Sequence, residues 1–211
     1  MTQEQEALVI AAVLDGQTDR FEELVRANER GIYALCLRML GSEQDALDAS
    51  QEAFFRAYRA LSSFRGESRF SVWLYKTAAN VCRDALRRRP AEPPMPLEDD
   101  EGAELPIPDD RFDPQTELER AELRRAVHEG LNALSPEYRE VLVLREINGL
   151  SYDEIAHVAG IEAGTVKSRL YRARRSLAAI LLRGGNNSGG EPSNPSNAQI
   201  GKGGEPREHA M

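Results

Sequence analysis

Five positively charged side chains fall within nine residues near the carboxyl end of this sequence: Lys167, Arg169, Arg172, Arg174 and Arg175. Such a density of cations suits contacts with phosphates and with base edges in the major groove of DNA. The simpler alternative is a solvated basic face on a small helical hairpin. The residues that precede the cations decide between these two interpretations.

The segment SYDEIAHVAGIEAG, which begins at Ser151, predicts the elements that would position these cations. Ser151 and Glu154 have the spacing of a capping box, in which each side chain bonds the other residue's backbone amide at a helix start. Gly160 fits a tight turn that needs a positive φ, Ala156 is small enough for a helix crossing, and Val166 can seat a second helix. The sequence therefore predicts a helix-turn-helix that binds DNA.

The net charge of −8 is compatible with this prediction because the acidic residues are concentrated elsewhere. From Pro90 to Glu117 there are ten acidic residues and one basic residue, which leaves the remainder of the chain near +1. Seven prolines lie between 90 and 114, with few large apolar side chains. Such a stretch buries too little surface to offset its ordering entropy, so we expect a flexible acidic linker there.

Helical periodicity, punctuated by glycine and proline, predicts an all-α fold with two small helical domains. An aromatic content of 6 % in 211 residues also favours helical domains over a sandwich or a barrel. The predicted boundaries are a first domain at 1–89, the acidic linker at 90–114, a second domain at 115–183 and a disordered tail at 184–211.

Little in the sequence suggests catalysis, metal binding or membrane insertion. Cys36 and Cys82 are far apart in apolar helical patterns, so we expect buried hydrophobic residues rather than a disulfide or a zinc site. Three histidines, without a phosphate loop or a metal cluster, argue against an enzyme and against a cofactor. No apolar run reaches the length of a membrane span and no basic signal-peptide start is present, so we expect an intracellular protein.

The helix predicted to follow Ser42 is acidic at its start, with Glu43, Asp45, Asp48 and Glu52 in its first ten positions. Acids near a helix start are favoured by the helix dipole, which explains the first two or three. Asp48 and Glu52 repel each other across one turn, so a basic partner surface is the competing explanation.

The loop FRGES, starting at Phe64, and the helix after it mix aromatic side chains with cations. Cations follow a phosphate backbone, while aromatic faces accept unstacked bases. The alternative is that Phe70, Trp73 and Leu74 form core and the arginines only solubilise the surface. The residues favour core for Trp73 and Leu74, and nucleic acid for Phe64, Arg65 and Asn80.

With these motifs in order, the sequence resembles bacterial σ70-family sigma factors. Residues from FEELVRANERGIYALCLRMLG through FSVWLYKTAANVCRDALRRR resemble region 2, and LSPEYREVLVLREINGLSYDEIAHVAGIEAGTVKSRLYRARRSL resembles region 4. The resemblance covers roughly residues 15–183. Because no region 1.1 or region 3 separates or precedes them, the layout is that of the extracytoplasmic-function (ECF) subfamily.

This resemblance implies a subunit that directs core RNA polymerase to promoters and helps to open the −10 region, with polymerase supplying all chemistry. Contacts with the β′ clamp helices would come from Asp45, Asp48, Gln51, Glu52 and Phe54. Contacts with −10 DNA would come from Phe64, Arg65, Ser68, Phe70, Lys76, Asn80, Arg83, Arg87 and Arg88. Contacts with −35 DNA would come from Thr165, Lys167, Ser168, Arg169, Arg172 and Arg174.

The partners implied are core polymerase, through its β′ clamp helices and β flap, promoter DNA, and an anti-sigma protein of the membrane-anchored kind common in this subfamily. No small-molecule substrate and no direct membrane insertion are expected. The main rival is a stand-alone helix-turn-helix regulator that binds a duplex operator. That rival explains residues 115–183 but leaves the acidic helix and the aromatic–basic loop without a role.

Overall fold

The computed structural model describes residues 1–88 and 114–187, with side chains described for 1–88 and 122–183. This part of the chain is all-α, as predicted, and contains no strand. Its helices are α1 (Gln3–Leu14), α2 (Phe21–Leu40), α3 (Glu43–Arg59), α4 (Phe70–Arg88), α5 (Pro114–Asn132), α6 (Pro136–Glu146), α7 (Tyr152–Ala159) and α8 (Ala163–Asn187).

Local signals account for most helix ends. Ser42 caps α3 by accepting a bond from the amide of Asp45 at 3.3 Å, and Gly41 ends α2 with φ of 74°. Helix α6 begins at Pro136, and the missing N–H of proline is tolerated there because amides in the first turn have no partner within the helix. Helix α5 begins at Pro114, next to the predicted start of the second domain at 115, and α8 continues to Asn187, past the predicted boundary at 183. Most of the predicted linker and tail lies outside the described residues.

Helices α1 to α4 form the first domain, in which α2, α3 and α4 pack around one another. A stripe of small residues lets α3 approach its neighbours closely, because alanine adds little bulk between helix backbones. The buried members of this stripe are Ala46, Ala49, Ala53 and Ala57. Leu24, Leu35 and Leu74 belong to the same core and have no exposed surface.

A buried carboxylate joins the amino-terminal helix to α4. Glu6 on α1 is 7 % exposed, and its Oε2 accepts a hydrogen bond from the backbone amide of Phe70 at 3.1 Å. Phe70 is the first residue of α4, where backbone amides have no partner within the helix. Glu6 therefore acts as a remote cap for α4.

Both cysteines are free and buried in the first domain, as expected. A hydrogen bond with Cys36, together with burial, raises the pKa of the Cys82 thiol. The Cys82 thiol is therefore protonated, and both buried cysteines pack as small hydrophobic groups.

Helices α5 to α8 form the second domain, with α6, α7 and α8 packed around a small core. Val141, Leu144, Ile155 and Leu170 have 1 % or less of their surface exposed. Gly130 on α5 allows close passage of α8, because a Cβ at this position would lie 2.7 Å from Leu177 Cδ1. The core thereby fixes α8 against α5 and α6.

The two domains also pack on each other, which no sequence pattern indicated. Helix α2 contacts α5 and α6, and α4 contacts α7. Arg139 at the start of α6 is 9 % exposed and donates to the carbonyl of Met39 in α2 at 2.8 Å. It also donates to the carbonyl of Asn132 at 2.6 Å, so one guanidinium joins the ends of α2 and α5.

Candidate polymerase and DNA interfaces

The acidic start of α3 presents some of its predicted contact residues to solvent and holds others in the fold. Asp48 and Gln51 are exposed, and Asp45 is half-buried beside the Ser42 cap. Glu52 is half-buried and forms an ion pair with Arg56 at 2.6 Å, one turn along the same helix. Phe54 is half-buried and packs against the core of the first domain.

Two apolar residues on the exposed side of α3 were missed by the sequence analysis. Leu47 is 46 % exposed and Phe55 is 55 % exposed, although both are large and apolar. They share a helix face with Asp48 and Gln51, opposite the buried alanine stripe. The alanine spacing is the sequence signal that identifies this face. We call Leu47, Asp48, Gln51 and Phe55 the α3 face.

The loop after α3 is built on a cluster of aromatic rings. The Phe64 ring lies 5.8 Å from the ring of Phe70 and 5.5 Å from that of Trp73, measured between centroids. Phe64 and Trp73 are half-buried, whereas Phe70 has no exposed surface. A direct DNA contact by Phe70 does not fit this placement, since the ring is enclosed by the core, as the alternative interpretation held.

The remaining predicted −10 residues are surface residues of this loop and of α4. Arg65, Asn80 and Arg88 are exposed, while Ser68 and Lys76 are half-buried. Arg87 is exposed and bonds the carboxylate of Asp84 one turn before it. Arg83 donates to the side-chain oxygen of Asn80 at 2.6 Å, so these two predicted DNA-contact residues also contact each other.

The helix-turn-helix has the local structure that the sequence predicted. Ser151 and Glu154 form the complete capping box, with the Ser151 amide 2.8 Å from Glu154 Oε2. Although burial opposes it, the bonds from Ser151 and Arg69 lower the pKa of Glu154. Gly160 ends α7 with φ of 68°, and Val166 has no exposed surface. These features fix the angle at which α8 leaves the turn.

One face of α8 is open and basic, and most predicted −35 residues lie on it. Lys167, Ser168 and Arg172 are exposed, and Thr165 and Arg169 are half-buried. This face has the position and charge of a recognition helix, whose first turns meet base edges.

The cations of α8 divide into two groups. Arg174 points to α6, where its Nη2 lies 2.5 Å from Glu146 Oε1. Arg175 is exposed and stacks over the ring of Tyr171, with its guanidinium carbon 5.7 Å from the ring centroid. Both were among the five candidate cations, but only Arg174 was predicted as a −35 contact, and charge alone does not distinguish helix faces. In the structure Arg174 joins α8 to α6, whereas Arg175 lies on the open face of α8.

Within residues 1–88 and 114–187, no cluster of histidine, cysteine and carboxylate side chains is arranged to hold a metal ion. In the same ranges no helix is both long and apolar enough to cross a membrane.

Family comparisons cover both domains. The family model for sigma-70 region 2 matches residues 24–91, and that for sigma-70 region 4 matches residues 124–177. The RNA polymerase sigma-H factor of Pseudomonas aeruginosa is 38 % identical, over 86 % of this chain and 96 % of its own length. The ECF sigma factor SigW of Bacillus subtilis is 36 % identical over 82 % of this chain and 94 % of its length. The ECF sigma-E factor of Escherichia coli K12 is 34 % identical over 81 % of this chain and 91 % of its own length.

A solved structure shares the arrangement of the helices. A chain in the structure of CnrH in complex with the cytosolic domain of CnrY aligns with a TM-score of 0.61 and 26 % identity, over 84 % of this chain and 97 % of that one. These similarities include the first domain. A stand-alone regulator that binds a duplex operator would need only the helix-turn-helix domain. The chain thus has a non-enzymatic role in transcription initiation, and it belongs to the ECF subfamily of the σ70-family RNA polymerase sigma factors.

Proposed function

We propose that this sigma factor divides promoter recognition among three surfaces, each formed by one part of the fold. The α3 face binds the β′ clamp helices of core polymerase. The loop at 64–68, with the exposed cations of α4, holds the opened −10 strand. The open basic face of α8 reads the −35 element.

The observation that carries the proposal is the combination of charge and exposed apolar surface on α3. The acidic residues fit a partner with a basic surface. Exposed Leu47 and Phe55 fit a protein partner, which would bury them, better than DNA, which would leave them in contact with water. The open face of α8 has the opposite charge and no acidic residue on it, which suits a nucleic acid. Because polymerase fixes the distance between the domains, two weak DNA contacts act at high effective concentration.

The −10 surface has a specific physical task. Extruding a base costs a few kcal/mol of stacking and pairing, which a pocket must return through stacking and edge contacts. Phe64 is half-buried and packs against Phe70 and Trp73, so part of its ring is held by the cluster and part is accessible. Exposed Arg65 and Asn80 supply a phosphate contact and an amide for a base edge.

The proposal is tested by transcription from a library of upstream sequences with bacterial core polymerase, with and without this protein. New start sites that share two spaced elements are expected only when the protein is added. Asp48→Arg should weaken core binding by about tenfold or more, because it places a cation against a basic surface. Glu29→Arg, an equal charge change at an exposed position of α2, is the control. Equal core affinity of the two variants would contradict the assigned face.

We also propose an anti-sigma partner that holds this protein inactive in the bacterial cytoplasm, at the inner face of the membrane. The likeness to CnrH supports it, since that protein was solved with the cytosolic domain of CnrY. The test is co-purification of the chain with a protein that has a membrane span and lowers transcription when added to the reconstituted system. Purification of the chain with core polymerase alone would contradict the proposal.

A further inference from the structure

Asp84 is the only acidic residue of α4, and it lies on the side of the helix that the proposed function assigns to −10 DNA. Helical residues three or four positions apart share a face, so Asp84 lies between Asn80 and Arg87. All three are at least partly exposed, whereas Cys82 on the opposite side of α4 is buried. A carboxylate therefore interrupts a surface on which every other charge of α4 is positive.

A phosphate contact does not account for this carboxylate, because a negative charge repels phosphate. The groups of DNA that a carboxylate can bind are the amino groups of bases, which donate hydrogen bonds. In the major groove cytosine presents N4 and adenine presents N6, while guanine and thymine present no donor there. Asp84 thus has the chemistry of a base contact rather than that of a phosphate contact.

An arginine from the neighbouring helix holds Asp84 in place. Arg56 on α3 has its Nη1 3.6 Å from Asp84 Oδ2. The same guanidinium is itself held by Glu52, whose Oε1 lies 2.6 Å from Arg56 Nε. Since α3 packs directly on α4, this support does not depend on DNA. A side chain that is already held loses less conformational entropy when it binds a ligand.

The second oxygen of Asp84 is paired with a residue that can leave it. Oδ1 accepts a hydrogen bond from Arg87 Nη2, one turn later in α4. The Arg87 side chain is 76 % exposed, so this pair contributes little stability and opens at small cost. When a phosphate binds Arg87, Oδ1 is released while Oδ2 stays beside Arg56. The competing explanation is a surface ion pair that only joins α3 to α4, and it makes a different prediction for base preference.

Asn80, one turn before Asp84, offers the complementary chemistry. Its Oδ1 accepts from Arg83 Nη2 at 2.6 Å, so amide hydrogens are what Asn80 has left to offer a base. The helical rise separates Asn80 from Asp84 by about 6 Å along the axis, and successive bases of one strand lie about 3.4 Å apart. Nearby bases of one strand can therefore meet a donor at Asn80 and an acceptor at Asp84.

We propose that Asp84 is a specificity-determining residue of the −10 surface, which selects a base whose exocyclic amino group faces α4, and that Arg56 is the positioning residue that holds Asp84. The ligand is cytosine or adenine at one position of the DNA that crosses α4. This inference rests on the proposed role of α4 in −10 binding and adds a base contact to it.

Transcription from a promoter library randomised in the −10 region, with holoenzyme reconstituted from the full chain, tests the inference. Wild-type holoenzyme should prefer cytosine or adenine over guanine or thymine by about tenfold at one position. Asp84→Asn, which keeps the size of the side chain, should also accept guanine or thymine there, because an amide donates as well as accepts. Asp19→Asn removes the same charge at an exposed position before α2 and should retain the wild-type preferences.

Variants of the two arginines separate positioning from phosphate binding. Arg56→Met removes the support of Asp84 and should reduce the preference at the same position, measured at saturating core polymerase because Arg56 also contacts Glu52. Arg56→Lys, which keeps a cation, should retain part of that preference. Arg87→Ala should weaken binding to all promoter sequences about equally and retain the preference, as expected of a phosphate contact. An ion pair with a purely structural role would not produce this pattern.

Base analogues test the amino group directly. In a promoter with the selected base, cytosine is replaced by 2-pyrimidinone, or adenine by purine, each of which lacks the exocyclic amino group. Weakened base pairing affects all holoenzymes alike, so the comparison with Asp84→Ala isolates the contact. The replacement should reduce open-complex formation about tenfold more with wild-type holoenzyme than with Asp84→Ala holoenzyme. The analogue that shows this difference distinguishes cytosine from adenine.

Equal base preferences in wild-type and Asp84→Asn holoenzymes would overturn the inference, as would an analogue effect of the same size with and without the carboxylate. The proposed function is judged separately with Phe64→Ala and Asn80→Ala, which should impair promoter opening whether or not Asp84 contacts a base. Normal opening by both of these variants would contradict the −10 role of the surface itself, so the two failures are distinguishable.

Discussion

Phe54 and Phe55 are neighbours in sequence with different environments. Phe54 packs against the core of the first domain, while Phe55 is 55 % exposed and lies beneath the guanidinium of Arg59, 5.6 Å from its ring centroid. A rotation of about 100° between successive helical residues is enough to separate a packing residue from a contact residue. Polymerase binding was predicted for Phe54, whereas Phe55 is the ring that the fold leaves exposed.

The two phenylalanines should respond differently to truncation. Phe54→Ala should lower the free energy of unfolding by about 1–3 kcal/mol, below the cost for a fully buried ring because Phe54 is half-buried. Phe55→Ala should leave unfolding nearly unchanged and weaken core binding. Urea denaturation and titration with core polymerase measure the two effects. Loss of stability in Phe55→Ala, with normal core affinity, would show that the assignment is reversed.

The residue types in the sequence identify the kind of contact, such as one with DNA, more reliably than they identify the particular side chains that make it. Five cations in nine residues predicted a DNA-binding helix, but Arg174 pairs with Glu146 on α6, whereas Arg175 lies over the ring of Tyr171 in its own helix. Phe64 and Phe70 are both phenylalanines, yet tertiary packing encloses only Phe70. Such distinctions depend on contacts between distant segments, which spacing alone does not encode.

At the scale of elements, α7 and its turn were predicted almost completely from sequence because their determinants are local. The serine, glutamate and glycine that define α7 lie within ten residues of one another, and each acts on backbone groups next to it. The cap of α4, by contrast, could not be predicted from neighbouring residues. It comes from Glu6, more than sixty residues earlier, and no local motif marks it.

The turn of the helix-turn-helix can be tested with two glycines. Gly160→Ala should destabilise the protein by about 1–2 kcal/mol, because φ of 68° is unfavourable for a residue with a Cβ. Gly164→Ala should be neutral or stabilising by up to about 1 kcal/mol, since this glycine lies in α8 with open space around its Cβ position. Thermal unfolding of both variants measures the difference, and equal effects would exclude a role for the left-handed conformation.

At the scale of the whole molecule, His128 lies where the two domains meet. Arg38 on α2 places Nη1 3.3 Å from His128 Nδ1, and Asn132 places its amide nitrogen Nδ2 3.1 Å from Nε2. Both neighbours can only donate, so the ring accepts from one of them when it is neutral and from neither when it is protonated. Burial, followed by the charges of Arg38 and Arg139, lowers the pKa of His128.

This lowered pKa predicts a loss of stability on acidification. The unfolded chain binds a proton near pH 6.5, whereas the folded chain does so only at lower pH. Stabilisation from neutral His128 is therefore complete above about pH 6.5 and declines as the pH falls below it. Burial raises the pKa of Glu140, which acts in the opposite direction, because acid relieves the cost of its buried charge.

The two effects can be separated with His128→Gln. The urea midpoint of the wild-type chain should fall between pH 8 and pH 5.5 by more than that of His128→Gln, in which the histidine contribution is absent. His157→Gln, at an exposed position of α7, should keep the wild-type pH dependence. A pH dependence that is the same in all three proteins would remove His128 as its source.

The contacts of Glu6 show that the first domain defined by sequence comparison differs from the first domain defined by packing. The family match begins at residue 24, yet the core includes Val9, Ile10 and Val13 of α1, and α4 depends on the carboxylate of Glu6 for its first amide. The unit that sequence comparison recognises is thus shorter than the unit that folds. A fragment trimmed to the recognised boundary would lose the support of the aromatic cluster around Phe70. The amino-terminal helix thereby helps to shape the loop at 64–68, for which we propose a contact with the opened strand.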